Sequence, residues 1–552
     1  MTTTRRDFLT FLGRASAAAS LPALAACSKP VAVSAGAAPA TAAPAPPLAP
    51  AAAGIEGLPF VPIAPTEEHA LVLAKGFEWH PVVRWGDVIN AAGEKFGSNC
   101  DYLCFLPFEG SDDDGILWVN HESPDPQLDG GYVRGGPRTR EQVIGEQKAV
   151  GGSLLRVRRE AGAWRMVAND PLNRRVSGET PIPIVAPRPI SGSDTAIGTL
   201  GNCAGGYTPW GTILTCEENY DSYYGETVHE ADGAKHEDSA LGWENFFDRP
   251  PEHYGWVVEV EPRTGAAKKL TALGRFRHEC ATVRLAGDGR PVVYMGDDAD
   301  SEHVYKFIAE SPGSLERGTL YVANIEQGRW LPLTLAAHPS FATRFADQTE
   351  LLIRAPEAAK LLGATPLGRP EDVEIDPRTG AVYIALTMFP SRGDAYGEIL
   401  RIEESGGDPL SLTFAAETFL SGGIESGFAC PDNLVFDRKG HLWLVSDMPG
   451  RDGPYAPFKN NGLYYIPTDG PRAGKVHQVA SAPSGAELTG PCFSPDGRTL
   501  FVSVQHPAPG WPDGPGTVPR SSVVAITGPA LDALVGGDEV KPILALPSLP
   551  RT

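Results

Sequence analysis

The sequence predicts an all-β protein, a six-bladed β-propeller with helical and loop insertions, on three observations. One hairpin pattern recurs six times along the 552 residues. The chain contains 62 glycines and 52 prolines, as expected of a fold dense in turns. Each copy of the hairpin also carries metal-ligand residue types at the same end. Regularly repeated hairpins are typical of propeller blades arranged around a channel.

The three clearest hairpins lie in the C-terminal part of the chain. Each has two strands of alternating apolar residues around an Asp/Gly turn, and the turns lie at 376–380, 437–440 and 494–497. Because the strands of a hairpin are antiparallel, the start of the first lies beside the end of the second. We therefore expect the residues at those two places on one face of the protein.

Three looser hairpins precede these, beginning at Cys104, Asn202 and His278. In the clear copies, Asp376, Asp437 and Asp496 are 61 and 59 residues apart, which suits a four-stranded blade with elaborated loops. The alternative is an unrelated all-β sandwich with ordinary hairpins. A sandwich would not explain why the polar ends repeat.

The chain is acidic, with a net charge of −21 and a pI of about 5.0. This charge disfavours nucleic acid or an anionic membrane surface as a main partner. It would also repel an anionic substrate unless bound cations offset the acidic groups. With 42% hydrophobic residues the chain can bury a large core, and we expect a monomer.

Residues 1–27 read as a targeting segment. The run from Thr4 to Leu9 contains Arg5-Arg6 shortly before Phe8-Leu9 and matches the twin-arginine export signal. The twin-arginine route carries folded proteins. Its use therefore suggests that a cofactor is loaded before export. Leu24-Ala-Ala-Cys27 matches a lipobox, whose cysteine is acylated. Ordinary peptidase cleavage after Ala25 is the alternative.

Residues 28–60 are rich in Ala and Pro and predict a disordered tether, which leaves 61–552 as the propeller domain. Beyond residue 27 no apolar run has the ~20 residues that span a bilayer. The expected location is therefore the periplasm or the outer membrane. The expected partners are the export machinery and a membrane reached only through a lipid on Cys27.

Seven cysteines follow Cys27, and none has the CxxC spacing of a structural zinc site. Five of them fall at or near the start of a first hairpin strand, where small buried residues suit a tight channel. Cys203 differs, because it precedes Ala204-Gly205-Gly206, and glycines let the backbone approach a bound centre closely.

Many carboxylates collect at the hairpin ends, and they could not all ionise unpaired without a large electrostatic cost. Bound cations would neutralise these carboxylates. Carboxylates suit hard ions such as calcium, and a thiolate suits a transition metal. Glu217 and Glu218 are adjacent on a strand and point opposite ways, so only one is expected to face the channel. The candidates are Glu122, Cys203, Glu217, Glu218, Glu279, Asp297, Asp298, Glu371, Asp372, Asp432 and Asp447.

Few basic residues lie near this rim. Arg275 and Arg277 flank Glu279, and Arg369 stands two residues before Glu371, on the same strand face. An arginine beside metal-bound carboxylates suits bidentate recognition of a phosphate or another oxyanion. The alternative is an ion pair with a neighbouring carboxylate.

Several segments resemble the PhoX family of bacterial alkaline phosphatases. They are Asn202 to Asn219, Gly274 to Glu279, Tyr294 to Asp298, Arg369 to Asp372 and Cys430 to Leu434. The resemblance covers about 65–525 and includes the twin-arginine signal. Two departures are the lipobox and an insertion at about 299–368 with a helix-like run at 355–362, which could cover the site.

The resemblance implies a six-bladed propeller with a mixed Fe³⁺ and Ca²⁺ cluster at one end of its channel. Cys203 would bind iron, Glu217 or Glu218 with Glu279 and Glu371 would ligate the cluster, and Arg369 would hold phosphate. Glu122 and Asp298 are weaker matches, at calcium. Arg369, Glu279 and Glu371 are thus the predicted catalytic residues.

The predicted function is a metal-dependent phosphomonoesterase that acts on small-molecule phosphoesters. A calcium-dependent lactonase is the nearest enzymatic alternative, but its site would need one calcium and no cysteine. A non-catalytic surface lipoprotein, with metals that only brace the propeller, is the alternative from another class.

Overall fold

The computed structural model describes residues 57–230, 233–536 and 546–550, and it shows six β-sheets arranged as the blades of a propeller. The predicted signal and residues 28–56 of the predicted tether lie outside the described residues. Among the helices of the described part, none has the length and apolar character needed to cross a membrane.

The folded body begins earlier than the predicted boundary at residue 61. Phe60 is only 4% exposed, and its ring meets Phe77 edge-on with the ring centroids 5.3 Å apart. The carbonyl of Gly57 accepts a hydrogen bond from Arg472 at 3.0 Å. Residues 57–60 therefore belong to the propeller and not to the tether, since burial of the Phe60 side chain favours the docked chain.

Two short N-terminal strands complete C-terminal blades, and the first three blades follow. The N-terminal strands are β1 (Val72–Leu73) and β2 (Glu78–Arg84). Blade 1 contains β3 (Cys100–Pro107), β4 (Asp114–His121), β5 (Gly151–Glu160), β6 (Ala163–Met166) and β7 (Arg174–Ser177). Blade 2 contains β8 (Pro181–Val185), β9 (Thr195–Ile197), β10 (Asn202–Tyr207), β11 (Ile213–Glu217), β14 (Val257–Val260) and β15 (Ala267–Leu270), with the separate hairpin β12 (Glu226–Glu230) and β13 (Gly233–Glu237). Blade 3 contains β16 (Thr282–Leu285), β17 (Pro291–Gly296), β19 (Val304–Ala309), β20 (Gly318–Asn324) and β21 (Arg329–Pro332).

The remaining blades have four or five strands each. A separate pair is formed by β18 (Asp300–Glu302) and β22 (Leu367–Gly368). Blade 4 contains β23 (Pro370–Ile375), β24 (Val382–Leu386), β25 (Glu398–Glu404) and β26 (Phe414–Ser421). Blade 5 joins β27 (Pro431–Phe436), β28 (Leu442–Ser446), β29 (Gly462–Ile466) and β30 (His477–Ser481) to β1. Blade 6 joins β31 (Glu487–Phe493), β32 (Leu500–Gln505) and β33 (Ser522–Thr527) to β2.

The six predicted hairpins are confirmed, and each forms the inner edge of one blade. The first strand of every hairpin is the edge strand of its sheet and contacts the first strands of the neighbouring blades around the channel. These inner strands are β3, β10, β16, β23, β27 and β31.

The apolar core is divided into the interfaces between adjacent blades. In β3, Leu103 and Phe105 pack toward blade 6, whereas Cys104 and Leu106 pack toward blade 2. This alternation follows from the two-residue period of a strand buried on both faces. The same arrangement buries Cys216 and most of the other cysteines, as their size suggests.

Within the described residues, five short α-helices lie beside the blades: α1 (Arg140–Ala149), α2 (Asp221–Tyr224), α3 (Gln348–Ile353), α4 (Ala355–Leu361) and α5 (Pro529–Val535). The predicted helical run at 355–362 is thus α4. Its Ala355, Ala358 and Ala359 pack into the core between blades 2 and 3. The insertion braces the side of the propeller, and its described residues from 301 to 368 do not line the cavity at the channel mouth.

Candidate metal centre

A cavity of about 350 Å³ lies at the channel mouth where the six inner strands begin. Its walls carry nine carboxylates, one thiol, two guanidinium groups and one imidazole, all from blade ends or the loops that follow them. These side chains are Asp101, Glu122, Cys203, Glu218, Arg277, Asp298, Asp300, Arg369, Glu371, Asp432, Asp447, Glu487 and His506.

A repeated β-bulge presents one residue of each blade at this mouth. In blade 4 the pairing passes from Pro370–Leu386 to Val373–Ile384, so the inner strand holds one residue more than its partner. A bulge of this kind re-aims the side chain beside it. The same shift occurs in the other five hairpins. The residues at the equivalent position, blade by blade, are Asp101, Cys203, Glu279, Glu371, Asp432 and Gly490.

In four blades a left-handed residue stands two positions before the ligand-type residue. These residues are Asn99, Gly201, Arg369 and Cys430, with φ between 44° and 62°. Left-handed backbone is costly for residues other than glycine and is retained where the surrounding structure demands it. The repeated turn therefore sets how each inner strand enters the channel.

The second strands add a further set of acids to the same mouth. In four blades, a residue at the start of the inner strand pairs with a residue at the end of the second strand that is directly followed by an acid. These acids are Glu122, Glu218, Asp298 and Asp447. In blade 4 the equivalent residue is Thr387, whose hydroxyl lies 2.8 Å from a carboxylate oxygen of Glu371. The side-by-side placement predicted from antiparallel pairing is what the structure shows.

Three groups of possible ligand atoms overlap to make one continuous cluster. Within each group the atoms lie within 4.8 Å of one another. Glu218 and Glu279 each belong to two of the groups and so link all three. The groups are Glu122 with Cys203 and Glu218, Glu218 with Glu279 and Asp298, and Glu279 with Glu371 and Asp432.

Burial and mutual repulsion raise the pKa values of these acids. The pKa of Glu279 lies well above its usual range because the group is buried and faces Glu371 and Glu218. Burial raises the pKa of Glu218 in the same way, and the charges of Asp298 and Glu122 add to the effect. A centre that keeps these groups ionised at neutral pH requires bound positive charge.

Cys203 lies among acids and not among apolar side chains. Its Sγ is 3.2 Å from an oxygen of Glu279 and 3.3 Å from an oxygen of Asp101. Burial and these carboxylates raise the pKa of the thiol well above its usual range. A metal ion would reverse this effect, because a coordinating thiol is deprotonated.

Arg369 faces the cavity from the edge of blade 4. Its Nε and one terminal nitrogen donate to the two oxygens of Asp298 at 2.9 and 2.7 Å. The same terminal nitrogen lies 2.7 Å from Glu371. The guanidinium is thus held by two cluster acids, and its side chain stays 26% exposed to the cavity.

Two further cationic or titratable groups stand on the cavity wall. Arg277 pairs with Asp221, at the start of α2. His506 lies 4.0 Å from Glu122 and 3.7 Å from Glu487. Arg275, the other arginine beside Glu279, points away from the cavity and pairs with Glu226.

The structure brings six of the seven predicted metal-ligand residues together and leaves out Glu217. Both side chains of the Glu217–Lys269 pair are fully buried, and the Glu217 carboxylate accepts a hydrogen bond from the Lys269 Nζ at 2.6 Å. It also accepts from the backbone N–H groups of Leu200, Gly255 and Trp256. Glu217 is a structural carboxylate, and Glu218 is the one that faces the channel.

Asp297 and Asp372 are also turned away from the cavity. Asp372 accepts the backbone N–H of Leu434 at 2.9 Å and so links blades 4 and 5. Asp297 accepts from the backbone N–H of Arg277. Conversely, Asp101, Glu487 and His506 line the cavity although the sequence patterns did not single them out.

The chain is similar to one family model and to several solved structures. The family model described as alkaline phosphatase PhoX matches residues 58–508. The structure of Pseudomonas fluorescens PhoX in complex with vanadate, a transition-state analogue, is 32% identical, with a TM-score of 0.77 over 85% of this chain and 98% of that one. A gluconolactonase from Xanthomonas campestris is 11% identical, with a TM-score of 0.33 over 84% of this chain and 99% of that one. A search of curated proteins found no match. The match over 58–508 shows that this chain belongs to the PhoX family of alkaline phosphatases.

Proposed function

We propose that the protein is a metal-dependent phosphomonoesterase that releases phosphate from small organic phosphoesters. The observation that carries the proposal is the mouth cavity, where a cluster of acids and one thiol faces two arginines. Family membership supports it, and so does the vanadate complex of the P. fluorescens protein, because vanadate is described there as a transition-state analogue.

The residues of the cluster fit a mixed set of metal ions. The donor set joins one thiol to many carboxylates, and one oxygen of Glu279 is buried without a hydrogen-bond partner. Cys203 with Glu279 suits Fe³⁺, whereas Glu122, Glu218 and Asp298 suit Ca²⁺. When bound, these ions would supply Lewis acidity toward the phosphate oxygens.

The arginines supply the recognition of phosphate in this proposal. The fork of Arg369 already makes two parallel hydrogen bonds to Asp298, the geometry that also matches two phosphate oxygens. We infer that the fork turns toward phosphate when cations satisfy Asp298 and Glu371. It then donates to the charge that develops on the transferring phosphoryl group.

Metal analysis together with a hydrolysis assay tests the function. Protein purified without chelator should contain iron and calcium and should release p-nitrophenol from p-nitrophenyl phosphate. Removal of the metals should abolish the release. Zinc as the sole stoichiometric metal in active protein would contradict the iron and calcium assignment. Fully loaded protein that releases no phosphate would favour the non-catalytic lipoprotein.

We also propose export by the twin-arginine route and anchoring through a lipid on Cys27. Both features lie outside the described residues, and the motifs at 4–9 and 24–27 support them. Cys27→Ser should release the protein from membranes and leave kcat/KM unchanged, because every residue that lines the metal-centre cavity lies C-terminal to residue 100. If the wild-type protein incorporates no labelled fatty acid in its own host, the proposed lipid anchor on Cys27 is wrong.

A further inference from the structure

A second cavity, of about 320 Å³, adjoins the metal-centre cavity. Ser123, Leu241 and His506 line both. The chain passes directly from one to the other: Glu122 belongs to the metal cluster, and Pro124 belongs to the second cavity. Consecutive Cα atoms lie 3.8 Å apart, so the two cavities are within reach of one small ligand.

The wall of the second cavity differs in character from the cluster. Four prolines and the side chains of Trp85, Leu128, Tyr132 and Leu241 form its apolar part, beside polar residues such as Asn99, Asp125 and Arg134. The indole N–H of Trp85 donates to Asp129 at 2.9 Å, so the polar group of that ring is already satisfied. The guanidinium of Arg138 lies 5.6 Å from the centre of the Tyr132 ring and covers one of its faces. These rings offer apolar surface to a ligand.

We propose that this cavity binds the organic group of the substrate and selects phosphoesters of aromatic alcohols. The inference rests on the proposed function, which places the phosphate at the metal cluster. From there, the ester oxygen would carry the organic group into the adjoining cavity. A volume of about 320 Å³ lies near the lower end of the roughly 300–1,000 Å³ typical of small-molecule sites, enough for a ring system. A compact alcohol would leave the cavity unfilled.

Two variants that fill the cavity test the proposal with substrates of matched chemistry. Ala240 and Leu128 line the second cavity but not the metal-centre cavity. We compare 2-naphthylmethyl phosphate with methyl phosphate, because both release an alkyl alcohol. Ala240→Trp and Leu128→Trp should each lower kcat/KM for the naphthyl ester by about 10-fold or more relative to methyl phosphate, mainly through KM. Inhibition by inorganic phosphate should stay within about twofold.

The control is Ala336→Trp, at an exposed alanine that lines neither of these two cavities. This variant should leave the ratio of kcat/KM for the two esters unchanged. If a variant still hydrolyses methyl phosphate, it is folded and contains its metal ions. An equal loss of kcat/KM for both esters, or an unchanged ratio of the two kcat/KM values, would overturn this inference but not the proposed function. A wild-type enzyme that hydrolyses neither ester would overturn the proposed function, and the inference with it.

Discussion

Glu217 and Glu218 are neighbours in the chain, yet their carboxylates serve opposite sides of blade 2. Glu217 is buried against Lys269, whereas Glu218 belongs to the cluster of candidate metal ligands. Strand alternation predicts that only one of them faces the channel, and it does not say which. The bulge between Asn202 and Gly205 decides the outcome, because it sets the register of the strand end.

The same substitution at these two positions should therefore have opposite effects. Glu217→Gln leaves Lys269 buried without its counter-ion, and we expect it to lower the free energy of unfolding by about 3–5 kcal/mol. Metal content per folded molecule should not change. Glu218→Gln should lower metal content and kcat/KM with little loss of stability in the metal-free protein. Denaturant unfolding and metal analysis of both variants check this pair, and loss of metal from folded Glu217→Gln would contradict it.

Arg369 is the residue whose geometry the proposed chemistry depends on most. Lysine keeps the charge but cannot make two parallel hydrogen bonds. We expect Arg369→Lys to reduce kcat/KM by about 10²-fold or more, with metal content unchanged. The control is Arg158→Lys, since Arg158 pairs with Asp114 at the other end of blade 1. Full kcat/KM in Arg369→Lys would make the arginine structural and would shift phosphate binding to Arg277.

At the scale of the element, the hairpins were predictable and their exact lengths were not. Alternating apolar residues around Asp/Gly turns depend on local chemistry, which a sequence displays directly. The first hairpin was predicted to begin at Cys104, but its strand begins at Cys100, and so Asp101 was missed. Glu487 was missed for the same reason: the pattern of the last hairpin begins at Gly490, whereas its strand β31 begins at Glu487.

Gly490 occupies the place in blade 6 that ligand-type residues occupy in the other blades. Its φ is +57°, and an added Cβ would lie 2.7 Å from the carbonyl oxygen of Asp101 and 2.8 Å from the Leu103 nitrogen. We expect Gly490→Ala to lower the free energy of unfolding by at least ~2 kcal/mol, since it adds backbone strain to a clash with backbone atoms. Metal affinity should fall as well, because Asp101 would move.

Gly287→Ala is the matched control for this element. Gly287 lies in the hairpin turn of blade 3, where a Cβ would meet nothing within 4 Å. Thermal unfolding of the two variants should separate them clearly, with Gly287→Ala close to the wild type. Equal melting temperatures for both variants would show that the inner strand of blade 6 can shift freely at the bulge.

At the scale of the whole molecule, the propeller is closed by its N-terminal segment. Strand β2 pairs with β33, so blade 6 is built from both ends of the described chain. Val83 on β2 is 1% exposed and packs in the core between blades 6 and 1. Closure of this kind joins residues far apart in sequence, and the hairpin pattern could not reveal it.

A shortened chain tests the closure. A protein that begins at residue 86 should lose cooperative unfolding or melt far below the wild type, because blade 6 would lack its outer strand and expose the β33 edge. A protein that begins at residue 57 should melt close to the wild type. Similar melting temperatures for both shortened chains would show that β2 contributes little to closure.

The metal centre should also couple the stability of the whole propeller to pH. Without cations, burial and repulsion raise the pKa values of Asp101, Glu218, Glu279, Glu371 and Asp432. The unfolded chain releases these protons near its ordinary pKa values, about 4, whereas the folded metal-free protein retains them. Above that pH the native state binds more protons, so its stability falls as pH rises. Bound cations keep the acids ionised and remove this dependence.

We therefore expect the melting temperature of chelator-treated protein to fall between pH 5 and pH 8, while that of loaded protein changes little. The difference between the two forms should widen with pH, because cations bind the native state and stabilise it by mass action. Calorimetric scans of both forms across this range make the measurement. Asp114 lies on the far side of blade 1, and Arg156 and Arg158 lower its pKa against the effect of burial. Its contribution to stability is therefore present above about pH 4 and cannot cause a fall in melting temperature as the pH rises. A metal-free protein whose melting temperature rises with pH would show that the cluster acids are not held together as the structure describes.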